Sequence, residues 1–138
     1  MPLFQTQTTS FKAELPQGIH NLLVDTIKFA LYTENATLDE NTTVYTVTDE
    51  VSGGGYTAGG VVLTGVTINS SGSTAYVSFN NPVWSPASFT AAGGLIYNAS
   101  KANKSIAVIS FGGNKTATNT FTVEMPPNTA TSALLKFT

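Results

Sequence analysis

The sequence predicts an all-β protein: an antiparallel β-sandwich of jelly-roll type, preceded by an irregular apolar N-terminal arm. Three observations carry that expectation. Short segments in which β-branched and aromatic residues alternate with polar ones recur from Thr26 to the C-terminus. Runs rich in Gly, Asn, Ser and Pro separate them at about 8–12-residue spacing, the rhythm of sandwiches and jelly rolls. No pair of long helical patterns is present to cover a parallel sheet. At 138 residues the chain is one domain by length. A domain of that size buries roughly 68–70% of the surface its unfolded chain exposes, so it needs no disulfide or metal to fold.

In chain order, residues 1–24 form the arm and 25–138 a single β domain. One helical turn is expected from Ser10 to Leu15, stopped by Pro16. Leu3, Phe4, Phe11, Leu15, Leu22 and Leu23 are apolar without a clear period. Such an arm packs either on its own domain or on a neighbour. "TIKFALYT" (26–33) sets Ile27, Phe29 and Leu31 on one face and Lys28, Ala30 and Tyr32 on the other. "VYTVT" (44–48) and "VVLTGVTI" (61–68) read as further strands. "STAYVSF" alternates Ala75, Val77 and Phe79 against Thr74, Tyr76 and Ser78. "SFTA" (88–91) and "LIYN" (95–98) follow, separated by "AAGG", which reads as a turn. "SIAVISF" (105–111) is apolar on both faces and is expected to be a central strand, covered on each side. "TFTVEM" turns Phe121, Val123 and Met125 inward, and "ALLKF" (133–137) closes the set. "NSSGS", "NNP", "NASKANK", "GGNK" and "PPNTA" are turns or loops by composition.

Charge is scarce. Asp, Glu, Lys and Arg make up 10% of the chain, against about 25% in a typical domain. All six positive residues are lysine, and the net charge is −2. With no arginine and no basic run, nucleic acid is not an expected partner. A surface of Thr, Ser and Asn repels its own copies weakly, which suits dense packing in an assembly. The absence of cysteine removes disulfides, thiolate nucleophiles and Cys-ligated zinc together, and fits synthesis in a reducing cytoplasm. No stretch reaches the roughly 18 apolar residues of a membrane span, and residues 1–15 lack the pattern of a signal peptide. The N-x-S/T triplets at Asn35, Asn41, Asn69, Asn98, Asn103 and Asn114 are therefore read as turn chemistry.

The densest glycine run, "EVSGGGYTAGG" (50–60), satisfies G-x-G-x-x-A through Gly53, Gly55 and Ala58. A dinucleotide-binding loop must open a helix, so that phosphate meets free backbone N–H groups. This run leads into a strand, and the glycines are expected to turn the chain instead. His20, the single histidine, has no G-x-S-x-G elbow to serve, and one His without Cys makes no usual zinc site. The acidic pairs Asp39–Glu40 and Asp49–Glu50 would offer a glycosidase pair or Ca²⁺ ligands only if both acids faced one way; no D-x-D-x-D-G run supports the latter. No catalytic residue, metal or cofactor is expected. Trp84, in "NNPVWSP", is either a core residue or an exposed platform for a partner or a sugar.

Several strings together resemble a family of small virion proteins of tailed bacteriophages. They are "SFKAELPQGIHNL" (10–22), "DTIKFALYT" (25–33), "TTVYTVTDEVSGGGYTAGG" (42–60), "GGLIYN" (93–98), "AVISFGGNK" (107–115) and "FTVEMPP" (121–127). The resemblance implies a non-enzymatic structural protein of the particle, made in the host bacterial cytoplasm. Head decoration, or cement, at junctions between capsid subunits is the role favoured. Its expected partners are the major capsid protein and copies of itself, a trimer before a dimer. The expected interface is Leu3, Phe4, Phe11, Leu15, Leu22, Leu23 and Trp84, and deletion of residues 1–12 should leave a folded β domain that no longer decorates heads. The alternatives are a tail, connector-ring or fibre component, or a carbohydrate-binding β-sandwich module, with a host surface glycan as ligand.

Overall fold

The computed structural model describes residues 6–126, 129 and 133–137. It is mostly β, and every strand pairing is antiparallel. The all-β class read from the alternation is therefore the class observed.

The chain opens with β1 (Thr6–Gln7) and α1 (Thr9–Glu14). Thr8 caps the helix, its hydroxyl accepting from the Phe11 N–H at 3.4 Å. A 3₁₀ turn, Leu15–Gln17, continues the coil, and Gly18 ends it at φ +73°. The α-helix ends at Glu14 with Leu15 as its C-cap, just before Pro16 as expected, and Pro16 lies in the first turn of the 3₁₀ segment, where a missing N–H costs nothing.

The five-stranded sheet runs β1-β8-β7-β2-β3, with β2 (Ile27–Tyr32), β3 (Val61–Val62), β7 (Thr90–Asn98) and β8 (Lys104–Thr116). A three-stranded sheet contains β4 (Thr67–Ser71), β5 (Thr74–Ser78) and β10 (Leu135–Phe137), in the order β10-β5-β4. The pair β6 (Val83–Trp84) and β9 (Phe121–Thr122) makes the third. One apolar core takes side chains from all three: Phe29, Ile96 and Ile106, then Val77 and Leu135, then Trp84 and Phe121.

A second, smaller core lies on the other face of the large sheet. It joins Ala30, Tyr32, Leu95, Tyr97 and Val108 to Ala36 and Leu38. The central position of "SIAVISF" in β8 fits this two-sided burial. β2 departs from its expected half-exposure, because residues 33–60 fold back over the Ala30 and Tyr32 face. "VYTVT" lies in that returning segment and is not a strand. Val44 forms one isolated bridge to Lys104, and Val47 is 68% exposed.

Other segment boundaries moved for steric reasons. "VVLTGVTI" is broken at Gly65, where φ of +64° and the adjacent Asn80 side chain divert the chain from the large sheet to the small one. "AAGG" is no turn but the middle of β7, since small residues there let the Phe29 ring lie against the Gly94 backbone. "GGNK" lies inside β8, where the register to β7 shifts between Ser110 and Lys115 and leaves Gly112 and Gly113 at positive φ.

The arm is joined to the β domain rather than held apart from it. β1 pairs with β8, Phe11 is 0% exposed, and Leu22 is buried in the same core as Phe29. Leu15 packs half-buried against that core. Phe11, Leu22 and Trp84 are therefore unavailable to a partner, which corrects the interface expected from sequence: their apolar surface is already covered by this chain. The expected outcome of deleting residues 1–12 changes for the same reason, since the deletion removes Phe11 from the core. Leu23 is exposed, while Leu3 and Phe4 lie outside the described residues.

Candidate functional site

Two polar clusters and one open groove hold the chemistry of the described residues. The first cluster is centred on Glu50. Its Oε1 accepts from the Tyr45 hydroxyl at 2.6 Å, and its Oε2 accepts from the Tyr56 hydroxyl and from the Gly59 N–H at 2.8 Å. The Tyr56 hydroxyl in turn accepts from the Leu31 N–H in β2 at 2.9 Å. Tyr97 donates to the Gly59 carbonyl at 2.6 Å and stacks on Tyr45 with ring centroids 4.7 Å apart. Tyr32 donates to the Thr46 carbonyl at 2.5 Å.

Four of the five tyrosines thus converge on one carboxylate and on the segment that carries it. Burial, followed by the charge of Glu50, pushes the Tyr97 hydroxyl up to about 12. Burial, with Glu50 beside them, raises Tyr32, Tyr45 and Tyr56 further. These phenols stay protonated at neutral pH and act as donors. The arrangement fastens residues 45–59 to the sheet.

The glycine run closes this region. Gly53, Gly54, Gly55, Gly59 and Gly60 all have positive φ. At Gly60 a Cβ would collide with the Phe29 carbonyl, and at Gly54 with that of Ser88. The run brings backbone against backbone, with no helix behind it to bind phosphate. Asp49 and Glu50 diverge because Asp49 lies in a left-handed turn at φ +61°, exposed, while Glu50 turns inward. Asp39 accepts from the Asn41 N–H at 2.8 Å, a local turn.

The second cluster ties the arm to the β7–β8 turn. Asn98 is fully buried; its Oδ1 accepts from the Ser100 N–H at 3.0 Å, which orients its amide. The Nδ2 then donates to Asp25 Oδ2 at 2.8 Å and to His20 Nδ1 at 3.0 Å. With Nδ1 accepting, the His20 proton sits on Nε2 and faces Glu14 Oε1 at 2.8 Å. Both ring nitrogens are engaged inside the fold, and the ring packs on Phe11 at 5.1 Å.

Lys101 completes the set, its Nζ lying 2.9 Å and 3.0 Å from the two Asp25 oxygens. Burial opposes ionisation of Asp25 but is outweighed by the Asn21 N–H, Asn98 and Lys101, and the carboxyl is held at about 2. Because this pKa lies below the ordinary 3.8, Asp25 contributes stability above about pH 4, lost as pH falls toward about 2. The Lys101 end of the pair is 37% exposed while the Asp25 side chain is buried, so the expected contribution is about 1 kcal/mol. Thermal melts across that window should show wild type losing this amount and Asp25→Asn showing a flatter acid limb. Equal acid limbs in the two proteins would refute it.

A groove of about 500 Å³ runs between the far end of β8 and residues 120–126, lined by Ile109, Phe111, Phe121, Val123, Met125 and Leu134. It carries no histidine and no paired acids. Among the described residues there is no group of three or more His, Asp or Glu placed to hold a metal, and no helix is long and apolar enough to cross a membrane. Trp84 offers no platform for a sugar: it is 4% exposed and enclosed by Phe29, Tyr56, Phe89 and Phe121.

In the sequence Glu50 is half of an acidic pair, and nothing there links it to the tyrosines. The signal available was composition alone, because Tyr32, Tyr45, Tyr56 and Tyr97 share no period. No protein-family model, no curated protein and no solved structure matches this chain.

Proposed function

We propose that this chain is a non-enzymatic structural protein of a tailed-bacteriophage particle, and that it decorates the head at junctions between capsid subunits. The reading rests on the resemblance of residues 10–138 to such proteins. One observation favours a scaffold over an enzyme: the groups best suited to chemistry, His20 and Glu50, have their polar atoms engaged in fastening the fold. What remains outside is a weakly charged Thr/Ser/Asn surface and an apolar groove. A protein that binds the assembled shell and not loose subunits stabilises the shell by RT ln(1 + [L]/Kd), about 2.7 kcal/mol per site at 100 Kd.

The deciding measurement is the copy number of the chain in purified particles, by quantitative mass spectrometry on separated heads and tails. Amounts near those of the major capsid protein, on heads, are expected. A few copies in the tail fraction would instead make it a connector, tube or fibre component, and absence from both would overturn the virion reading. For the arm, the informative truncation removes residues 1–5, which carry Leu3 and Phe4 and leave Phe11 and the Thr8 cap in place. That variant is expected to lose head binding, and its thermal melt reports whether the domain stays folded. Full head binding by it would remove Leu3 and Phe4 from the interface.

A further inference from the structure

We propose that the edge of β4, which no other strand among the described residues pairs, is a self-association surface, on which β4 of a second copy adds antiparallel across a two-fold axis. The inference does not depend on the virion reading. β4 is the longest of the strands that end a sheet, and all five of its residues, Thr67–Ser71, are exposed. Its inner neighbour is β5, joined by the two-residue turn Gly72–Ser73 with Ser71 opposite Thr74. In such a hairpin the closing pair exchanges backbone bonds, and the pattern then alternates. Thr67, Asn69 and Ser71 therefore bond inward to β5, while Ile68 and Ser70 direct N–H and C=O outward. A row of outward backbone groups is a template for another strand.

Such edges are ordinarily blunted by lysine, proline or a bulge. β4 has none of these; its register with β5 is regular from Thr67 to Ser71. The opposite edge of the same sheet, β10, does carry a lysine, Lys136. No Asp, Glu, Lys, Arg or His occurs from Val51 to Ser100, so neither β4 nor β5 brings a charge of its own to a second copy. Ile68 adds apolar surface to cover, being 47% exposed on the margin of the face that bears Val77.

A second copy is the occupant that fits these features. Antiparallel pairing of identical strands is isologous and closes at two chains. The register using both outward residues sets Ile68 opposite Ser70 of the second copy, centred on Asn69. It joins two three-stranded sheets into one of six strands, and so gives a dimer and not the expected trimer.

Sedimentation velocity on the full chain, from micromolar to millimolar concentration, tests this directly. Wild type is expected to shift from one to two chain masses as concentration rises. Ile68→Lys and Ser70→Pro are expected to stay at one. The proline removes only an outward N–H and leaves the bonds to β5 intact. Val62→Lys, on the β3 edge, is expected to dimerise as wild type does. Amide exchange on wild type supplies a readout independent of any variant: the Ile68 and Ser70 amides should gain protection with concentration. A wild type that is monomeric throughout, that closes at three chains, or whose association survives both β4 substitutions would overturn the proposal. None of those outcomes bears on whether the chain resides in particles.

Discussion

Gly94→Ala is expected to destabilise the protein by about 3 kcal/mol, the upper range for forcing atoms into a packed core. The backbone at Gly94 is not left-handed, so alanine meets no conformational penalty there. The fault is steric. An added Cβ would overlap the edge of the Phe29 ring and come within 2.6 Å of the Ala30 carbonyl oxygen. Gly94 faces Leu31 in the ladder between β7 and β2, the best-covered pairing in the large sheet. Neither strand can withdraw without opening one of the two cores.

Urea unfolding of Gly94→Ala beside Gly112→Ala would separate sterics from backbone strain. Gly112 sits at φ +76° with nothing within 4 Å of a built Cβ, so only the left-handed conformation is penalised, by about 1 kcal/mol. Phe29→Leu added to Gly94→Ala should recover part of the loss and not all of it, because the Ala30 carbonyl stays in place. Equal stabilities for Gly94→Ala and wild type would refute the close approach of β2 and β7.

Glu50→Ala is expected to cost about 3 kcal/mol, because it leaves three donors without their acceptor. Two are hydroxyls, on Tyr45 and Tyr56, which can rotate toward water or another oxygen. The third, the Gly59 N–H, is fixed by the glycine run and cannot turn away. Tyr45→Phe removes one donor and leaves the carboxylate two others, so about 1 kcal/mol is expected there. Limited proteolysis should report the difference locally, with cleavage between residues 33 and 60 rising in Glu50→Ala before global unfolding.

The same cluster is expected to contribute to stability at alkaline pH. Tyrosine hydroxyls raised above their ordinary 10.0 in the folded state favour folding fully below that pH, and the contribution is lost as pH climbs past it. Ultraviolet titration should therefore show phenol ionisation delayed in wild type. In Glu50→Gln, which removes the charge, Tyr45, Tyr56 and Tyr97 should titrate earlier. Unchanged titration would show that burial alone raises them.

Where the residues themselves impose geometry, the sequence was legible. Alternation gave the strands around Phe29, Val77 and Phe121, because a pleated chain sends neighbouring side chains to opposite faces whatever lies beyond. The helical turn before Pro16, the Gly72 hairpin and the non-phosphate character of the glycine run are likewise local consequences of backbone chemistry. The all-β class followed from these.

Tertiary structure decided what lies across from each face. "AAGG" has turn composition, yet it is strand because the Phe29 ring needs a surface without side chains. "VYTVT" has strand composition, yet among the described residues its pairing stops at one bridge, Val44 to Lys104, because β8 begins there and the chain then turns away. Phe11, Leu22 and Trp84 read equally well as partner-facing or core residues. Only the placement of β8 beside the arm, and of the aromatic ring cluster around Trp84, assigns them to the interior. The Glu50 cluster lay furthest from view, since its four tyrosines come from separate segments that meet only after residues 33–60 fold back over the sheet. Local sequence fixes which way a side chain leaves the backbone; what it then touches is set by contacts between distant segments, whose pairing no short window contains.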